Sequence, residues 1–254
     1  MLKRDSSREE WLSLARRRGY PRSDKYDLRW IMENALGSHC IWLAEAITNV
    51  MELTPGMRVL DLGCGKAISS IFLAKEFGVQ VWAVDNGISA SDNLRRIHEA
   101  GLGDRVFPLH ADARSLPFAE EFFDAAVSIN AYWLFGTDDF YLSRSFAPLL
   151  KPGATAGLIM PGLKQELQGE LPAHIKPYWL TDVIAYHSPQ WWKRHFERSG
   201  SVDILISDCL EGNEGVEIWR DWARIMNVAD PLVDDDGGRN ISFVRLLVRR
   251  KMGV

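Results

Sequence analysis

Residues 59–67 read Val59-Leu60-Asp61-Leu62-Gly63-Cys64-Gly65-Lys66-Ala67, and the fold class can be inferred by starting from them. Its mostly apolar start is typical of a buried strand, and a helix-like run follows after a turn of small residues. Such a turn lets a ligand approach the backbone, while free N–H groups at the helix start point toward it. The stretch therefore predicts a strand, a ligand-binding turn and a helix.

Strand-like and helix-like runs alternate along most of the chain, which predicts an α/β fold. Helical spacing at 8–18 and 30–53 predicts a helical N-terminal region. Residues 163–189 lack a sustained period and are expected to form a long excursion over the sheet. Strands are predicted at 58–61, 79–85, 106–111, 123–130, 154–160, 202–206 and 241–248, and helices at 67–77, 89–100, 140–150, 189–200 and 215–226.

Composition and charge exclude several classes of protein. The chain has 254 residues, 46% of them hydrophobic, and a net charge of −4, which argues against a nucleic-acid partner. The polar N-terminus predicts no signal peptide, and the apolar runs are too short to span a membrane. Three widely spaced cysteines are expected to be reduced, so a cytoplasmic location is predicted. No metal site is predicted, because residues 234–238 form an acidic turn without the ligand alternation of a calcium loop.

The glycine turn distinguishes between two classes of nucleotide ligand. A dinucleotide fingerprint requires a third glycine where Ile68 stands. Here the small residue is Ala67, one position earlier, and Asp61 precedes the first glycine by two positions. This spacing, Asp-x-Gly-x-Gly-x-Ala, resembles the glycine motif of class I S-adenosylmethionine-dependent methyltransferases. In that family a glycine usually occupies the position of Ala67, which an alanine tolerates if its φ is negative.

The resemblance extends from about 57 to 161 and implies a Rossmann-like, doubly wound, mostly parallel seven-stranded sheet. It implies that Asp85 accepts hydrogen bonds from the ribose, that Asp112 contacts the adenine, and that Asn130 lies near the reactive sulfonium. Residues 149–154 match the turn before the fifth strand. The implied cofactor is S-adenosylmethionine, with S-adenosylhomocysteine as product, and the implied cofactor-binding residues are Asp61, Gly63, Cys64, Gly65, Ala67, Asp85, Asn86, Asp112, Ala113 and Asn130.

The same resemblance implies one methyltransferase domain over 1–254. It comprises a helical cap at 1–53, a cofactor-binding core at 57–161, a substrate lid and helix at 162–200, and C-terminal strands at 201–254. The acceptor pocket is expected under a roof formed by 32–39 and 163–192, with a floor at 130–135. Candidate lining residues are Tyr132, Trp133, Tyr178, Tyr186, His187 and Trp191, and His39, Tyr132 and His187 are candidate general bases.

Methyl transfer to a small-molecule acceptor, by in-line displacement and mainly through positioning, is the function that these patterns favour. The whole sequence resembles bacterial small-molecule methyltransferases that are often labelled similar to cyclopropane-fatty-acid synthases. Three alternatives stay open: a methyltransferase acting on RNA or protein, a lipid cyclopropane synthase, and a non-catalytic binding module. No membrane partner is expected, because the sequence lacks a basic amphipathic stretch, and the chain is expected to be a monomer or homodimer.

Overall fold

The computed structural model describes residue 16 and residues 19–179 and 183–252. Seven strands form one sheet in the spatial order β3-β2-β1-β4-β5-β7-β6. Every neighbouring pair is parallel except those that involve β7, which runs antiparallel to both its neighbours. The predicted mostly parallel, seven-stranded sheet is confirmed. The strands are β1 Arg58–Leu62, β2 Gln80–Asp85, β3 Val106–His110, β4 Phe123–Ile129, β5 Leu150–Leu163, β6 Val202–Cys209 and β7 Ile241–Arg250.

Helices cover both faces of this sheet, as the right-handed crossovers between parallel strands require. Capping side chains fix the start of several of them: the Ser188 hydroxyl, for example, accepts a hydrogen bond from the Trp191 N–H at 3.2 Å. The helices are α1 Leu28–Asn34, α2 Cys40–Thr48, α3 Ile68–Phe77, α4 Ala90–Glu99, α5 Pro189–Ser199, α6 Glu214–Met226 and α7 Pro231–Asp236.

Side-chain alternation along the strands divides the core into two layers. In β1, Val59 packs against α2 and α3 on one face, whereas Leu60 and Leu62 face the opposite layer, which contains Phe146 and α5. The sheet order reverses between β1 and β4, and the carboxyl ends of both strands meet at one edge. In open α/β sheets such a switch point leaves a crevice where ligands bind.

The region where helical spacing was predicted, at 30–53, contains two helices. The chain forms α1 and α2 with an extended turn between them, where Gly37 has φ +80°. His39 is the N-cap residue of α2, because its Nδ1 accepts a hydrogen bond from the Trp42 N–H at 3.1 Å. A local break at a left-handed glycine overrides the helical spacing on either side. The helix predicted at 8–18 lies outside the described residues except for residue 16.

The region before β5 also corrects a prediction. The segment predicted as a helix at 140–150 is helical over 141–149, but as a π-helical turn at Leu142–Phe146 followed by a 3₁₀ turn at Ala147–Leu149, and β5 begins at 150. That strand extends from 150 to 163, so Lys151, Pro152 and Gly153 belong to it. An irregularity in the pairing with β4 between Phe123 and Ala125 accommodates the extra residues. The other predicted helices and strands match the structure to within a few residues.

The acidic segment predicted as a solvated turn at 234–238 is helical and partly buried. Asp236 ends α7 and is fully buried. Its carboxylate accepts hydrogen bonds from the backbone N–H groups of Asn240 and Ile241 and from the Asn240 side-chain amide, and it pairs with His174 at 2.9 Å. The residue therefore fixes the chain between α7 and β7, which no local sequence pattern indicated.

Candidate active site

The glycine turn follows β1 directly and requires a backbone without side chains. The N–H groups of Gly63 and Cys64 both donate to the Val84 carbonyl, at 2.8 and 3.0 Å, so the turn is fixed against the end of β2. Gly63 has φ +75°, and a Cβ there would lie 2.3 Å from the Cβ of Ala131. The missing side chain therefore lets Ala131, which follows β4, pack directly against the turn.

Ala67 adopts a left-handed conformation, with φ +61° and ψ +21°, and it precedes the first residue of α3. The sequence analysis expected an alanine to be tolerated at this position if its φ is negative, but the φ of Ala67 is positive. A left-handed residue with a Cβ costs roughly 1–2 kcal/mol. The Ala67 N–H donates to the Cys64 carbonyl at 2.9 Å, and the chain enters α3 directly after this left-handed residue.

Asp85 joins the glycine turn to the loop after β2. Its Oδ2 accepts a hydrogen bond from the Gly65 N–H at 2.8 Å, and its Oδ1 accepts from the N–H groups of Gly87 and Ile88 at 2.8 and 3.0 Å. An ionised carboxylate can accept about four hydrogen bonds. Asp85 is thus held rigidly by the backbone and keeps the capacity to accept from a hydroxyl of a bound ligand.

Asp61 lies beneath the turn and does not face the crevice. Because residues alternate along β1, its side chain points toward α3, where the hydroxyls of Ser69 and Ser70 each donate to Oδ2 at 2.6 Å. Burial raises the pKa of Asp61 to about 6, although both hydroxyls oppose this rise. The sequence analysis predicted that Asp61 contacts the cofactor, whereas its side chain faces α3. This position indicates that Asp61 holds α3 against the turn.

This buried carboxyl predicts a measurable pH dependence of stability. Since folding raises the pKa of Asp61 from 3.8 to about 6, its contribution is complete below pH 3.8 and is lost as the pH rises through 6. The loss is about 3 kcal/mol, at about 1.4 kcal/mol for each tenfold change in proton affinity. We expect the unfolding free energy of Asp61→Asn, from urea titrations, to lack this component. Parallel pH profiles for the variant and the unmodified protein would contradict the assignment.

A groove of about 130 Å³ lies at the ends of β1, β2 and β3. Five predicted cofactor-binding residues line it, namely Gly63, Asp85, Asn86, Asp112 and Ala113. Cys64, Gly65 and Ala67 form the turn behind it, and burial raises the pKa of the Cys64 thiol well above its usual value. The sequence analysis did not assign the remaining lining residues to the cofactor, although most directly adjoin predicted ones: Leu62, Val84, Ala111, Arg114, Ala131, Leu134 and Phe135.

A larger cavity of about 600 Å³ lies beside the groove. Predicted residues that line it are Asn130, Trp133, Tyr178 and Tyr186, and the turn at 35–38 contributes Ala35, Gly37 and Ser38. The sequence analysis missed the wall from α6 and α7, although Trp219 and Trp222 stand three positions apart, on one face of a helix. The other residues of that wall and of the rim are Pro161, Ala223, Met226, Val228, Ala229, Asp230, Pro231 and Leu232.

The two cavities adjoin at the end of β4. Asn130 lines the larger cavity and the next residue, Ala131, lines the groove. Asn130 has φ +60°, and its N–H donates to the Ile159 carbonyl at 2.7 Å. A Cβ on Gly37 would lie 2.7 Å from the Asn130 amide nitrogen, so the α1–α2 turn packs directly against this side chain. A group bound in the groove and a molecule in the larger cavity would therefore meet at 130–131.

Neither cavity is lined by the other three residues of the predicted pocket, which are Tyr132, His187 and Trp191. Tyr132 is fully buried among aromatic rings, at least three of which have their centroids 5.8 Å away, and burial raises the pKa of its hydroxyl well above the usual value. His187 lies just before α5. Its ring stacks on that of Trp191, with the centroids 3.6 Å apart, and its side chain contacts Glu166. These placements do not support Tyr132 or His187 as a base. The rings around Tyr132 include Phe146, Trp192 and Phe196.

His39, the third candidate base, is buried and has a structural role at the start of α2. Its ring stacks on Trp42 at 3.9 Å and meets Trp222 edge-on at 4.8 Å. In the described part of the chain, no group of three His, Cys, Asp or Glu side chains could hold a metal ion. Nor does any helix within 19–179 or 183–252 combine the length and apolar character needed to cross a membrane.

The known sequences that this chain resembles include several methyltransferases. A family model described as a methyltransferase domain matches residues 59–153. Sterol methyltransferase-like 1 from Botryococcus braunii is 32% identical over 214 residues, which cover 79% of this chain and 54% of that protein. The 27-O-demethylrifamycin SV methyltransferase from Amycolatopsis mediterranei is 27% identical over 59% of this chain and 65% of that protein. The chain spans about half the length of the first curated relatives that it matches.

Solved structures share the fold. Geranyl diphosphate C-methyltransferase from Streptomyces coelicolor superposes with a TM-score of 0.66 at 17% identity, covering 82% of this chain and 77% of that chain. The [4+2]-cyclase SpnF gives the same TM-score at 21% identity, with 84% and 81% covered. The matched domain, the fold and the glycine turn agree with the resemblance found in the sequence. Residues 59–153 of this chain therefore match a methyltransferase domain, and the chain shares the α/β fold of these solved structures.

Proposed function

We propose that this protein transfers a methyl group from S-adenosylmethionine to a small-molecule acceptor. The observation that carries the proposal is the pair of adjoining cavities at the end of β4. One lies beside the glycine turn and Asp85, and the other is a largely apolar cavity of about 600 Å³. Small-molecule sites commonly enclose roughly 300–1,000 Å³. The sterol and rifamycin methyltransferases among the relatives support an acceptor of this kind.

The groove residues fit the nucleoside of the proposed cofactor. Asp85 retains acceptor capacity for ribose hydroxyls, and Asp112 and Ala113 adjoin it at the end of β3. Gly63 lines the same groove, and its lack of a side chain lets Ala131 pack against the turn. When bound, the cofactor supplies a methyl group already activated on a sulfonium.

The remaining work of the protein is to position the acceptor and exclude water. An acceptor lone pair forms the new bond to the methyl carbon while the bonding electrons of the S–CH₃ bond remain on sulfur. Holding two reactants in line lowers a barrier by roughly 7–11 kcal/mol. Asn130 and Trp133 at the junction, with the turn at 35–38, would hold the acceptor against the groove. Aromatic walls around the junction would keep water away from the reacting atoms.

Two measurements test the proposal. Calorimetry should show that the protein binds S-adenosylhomocysteine, with NAD⁺ giving no comparable signal. Incubation with methyl-labelled S-adenosylmethionine and a metabolite extract should then place the label on a molecule small enough to pass an ultrafiltration membrane. Label found only on RNA or protein would support the macromolecular alternative instead. Binding without any transfer would favour a binding module, and a lipid bearing a new ring would favour cyclopropane synthesis.

A further inference from the structure

The larger cavity has a single acidic residue and no basic residue among its described lining residues. Among the described residues that line it, none is Lys, Arg, His or Glu, and Asp230 is the one acidic residue. Asp230 forms no ion pair within the part of the chain that the structure describes. A carboxylate or phosphate on an acceptor would therefore enter a largely apolar space that holds a like charge and lacks a cation. Such an arrangement disfavours binding of an anion.

Aromatic rings form the wall beside this carboxylate. The ring centroids of Trp133 and Tyr186 lie 5.3 Å apart in an edge-on arrangement, and those of Tyr186 and Trp219 lie 6.5 Å apart. The Trp219 indole N–H donates to Asp230 Oδ2 at 2.8 Å, so the negative charge lies at the edge of the aromatic wall. The faces of such rings attract ammonium groups, and most strongly where water is excluded.

The carboxylate is also held in a fixed position. Asp230 precedes α7, and its Oδ1 accepts a hydrogen bond from the Val233 N–H at 3.2 Å, while Oδ2 is held by Trp219. The residues on either side of it, Ala229 and Pro231, are exposed at the rim of the cavity. A positive group that enters along the aromatic wall would thus meet a charge that does not have to rearrange.

We propose that the acceptor is a hydrophobic amine, whose ammonium group binds beside Asp230 against the Trp133–Tyr186–Trp219 wall. This inference rests on the proposed function, because it names the acceptor class of the same site. It assigns the recognition of charge to Asp230 and leaves open which atom of the acceptor is methylated. Phosphate esters, diphosphates and carboxylic acids are excluded as acceptors by the same argument.

Three indoles of similar size test the charge preference: tryptamine (cationic), tryptophol (neutral) and indole-3-acetate (anionic). Calorimetric titration into protein saturated with S-adenosylhomocysteine should give tighter binding of tryptamine than of indole-3-acetate, by at least about tenfold. In the Asp230→Asn variant this ratio should fall to within about threefold, while tryptophol affinity changes by less than about twofold. Asparagine can still begin α7, so the fold should be retained.

Asp234→Asn is the matched control, because Asp234 belongs to α7, is exposed, pairs with Arg220 and lies outside the cavity. Its binding ratio should equal that of the unmodified protein. The inference is overturned if indole-3-acetate binds as tightly as tryptamine, if Asp230→Asn keeps the original ratio, or if tryptamine at about 1 mM gives no binding. Failure to saturate with S-adenosylhomocysteine would instead contradict the proposed function, so the two failures are distinguishable.

Discussion

Replacing Asp236 by alanine is expected to destabilise the protein by about 3–5 kcal/mol, the usual consequence of breaking a buried charged network. The change removes the acceptor for two backbone N–H groups, those of Asn240 and Ile241, and leaves His174 without its partner. Burial opposes ionisation of Asp236, yet the hydrogen bonds from Ile241, His174 and Asn240 hold its pKa below 3.8. The stabilisation that the Asp236 carboxylate gives to the fold is therefore complete at pH 7 and is lost only as the pH falls below 3.8.

Urea unfolding at pH 7 measures this effect, and Asp235→Ala is its control. Asp235 is the exposed neighbour of Asp236 in α7, so its replacement should change the unfolding free energy by less than about 0.5 kcal/mol. Since Leu232 of the same helix lines the larger cavity, Asp236→Ala should also weaken acceptor binding. An Asp236→Ala variant as stable as Asp235→Ala would show that the network contributes little.

Replacing Asp85 by alanine is expected to weaken S-adenosylhomocysteine binding roughly ten- to hundredfold. A hydrogen bond to a charged acceptor contributes about 1.5–3 kcal/mol, which corresponds to that range of affinity. The variant also loses the acceptor for the N–H groups of Gly65, Gly87 and Ile88, which shape the groove. Calorimetry measures the affinity, and thermal unfolding establishes that the variant folds.

Asp92→Ala provides the comparison for this experiment. Asp92 lies in the first turn of α4, close in sequence to Asp85, but its side chain is half exposed and does not line the groove. Its replacement should leave the affinity within about twofold of the original value. Should folded Asp85→Ala bind S-adenosylhomocysteine as tightly as Asp92→Ala does, Asp85 would have no place in the cofactor site.

Much of the groove could be predicted because its residues follow a topological rule. The carboxyl ends of parallel strands meet at one edge of the sheet, so residues at or just after the ends of β1, β2 and β3 must be neighbours. Gly63, Asp85 and Asp112 follow this rule and line one groove. Asp61 departs from the prediction because strand alternation turns its side chain toward α3, where Ser69 and Ser70 bind it.

The acceptor cavity could be predicted only in part. Tyr132 and Trp133 are adjacent, yet one lies in the core and the other lines the cavity, since a 3₁₀ turn directs their side chains differently. The wall from α6 was missed because its position depends on contacts distant in sequence. The Trp222 indole N–H, for example, donates to the Gly37 carbonyl at 2.8 Å, across 185 positions of the chain.

Local sequence patterns were sufficient to predict the strand, turn and helix at 58–77, the alternation that builds a parallel sheet, and the acids at the strand ends. These features depend on backbone conformation and on patterns within a few residues. Three features could be seen only in the folded chain: Asp61 is buried, Asp236 anchors α7, and Asp230 is the acidic residue in an aromatic cavity. Each of these depends on which distant segments pack together, and burial and hydrogen bonding across those contacts set the role of each carboxylate.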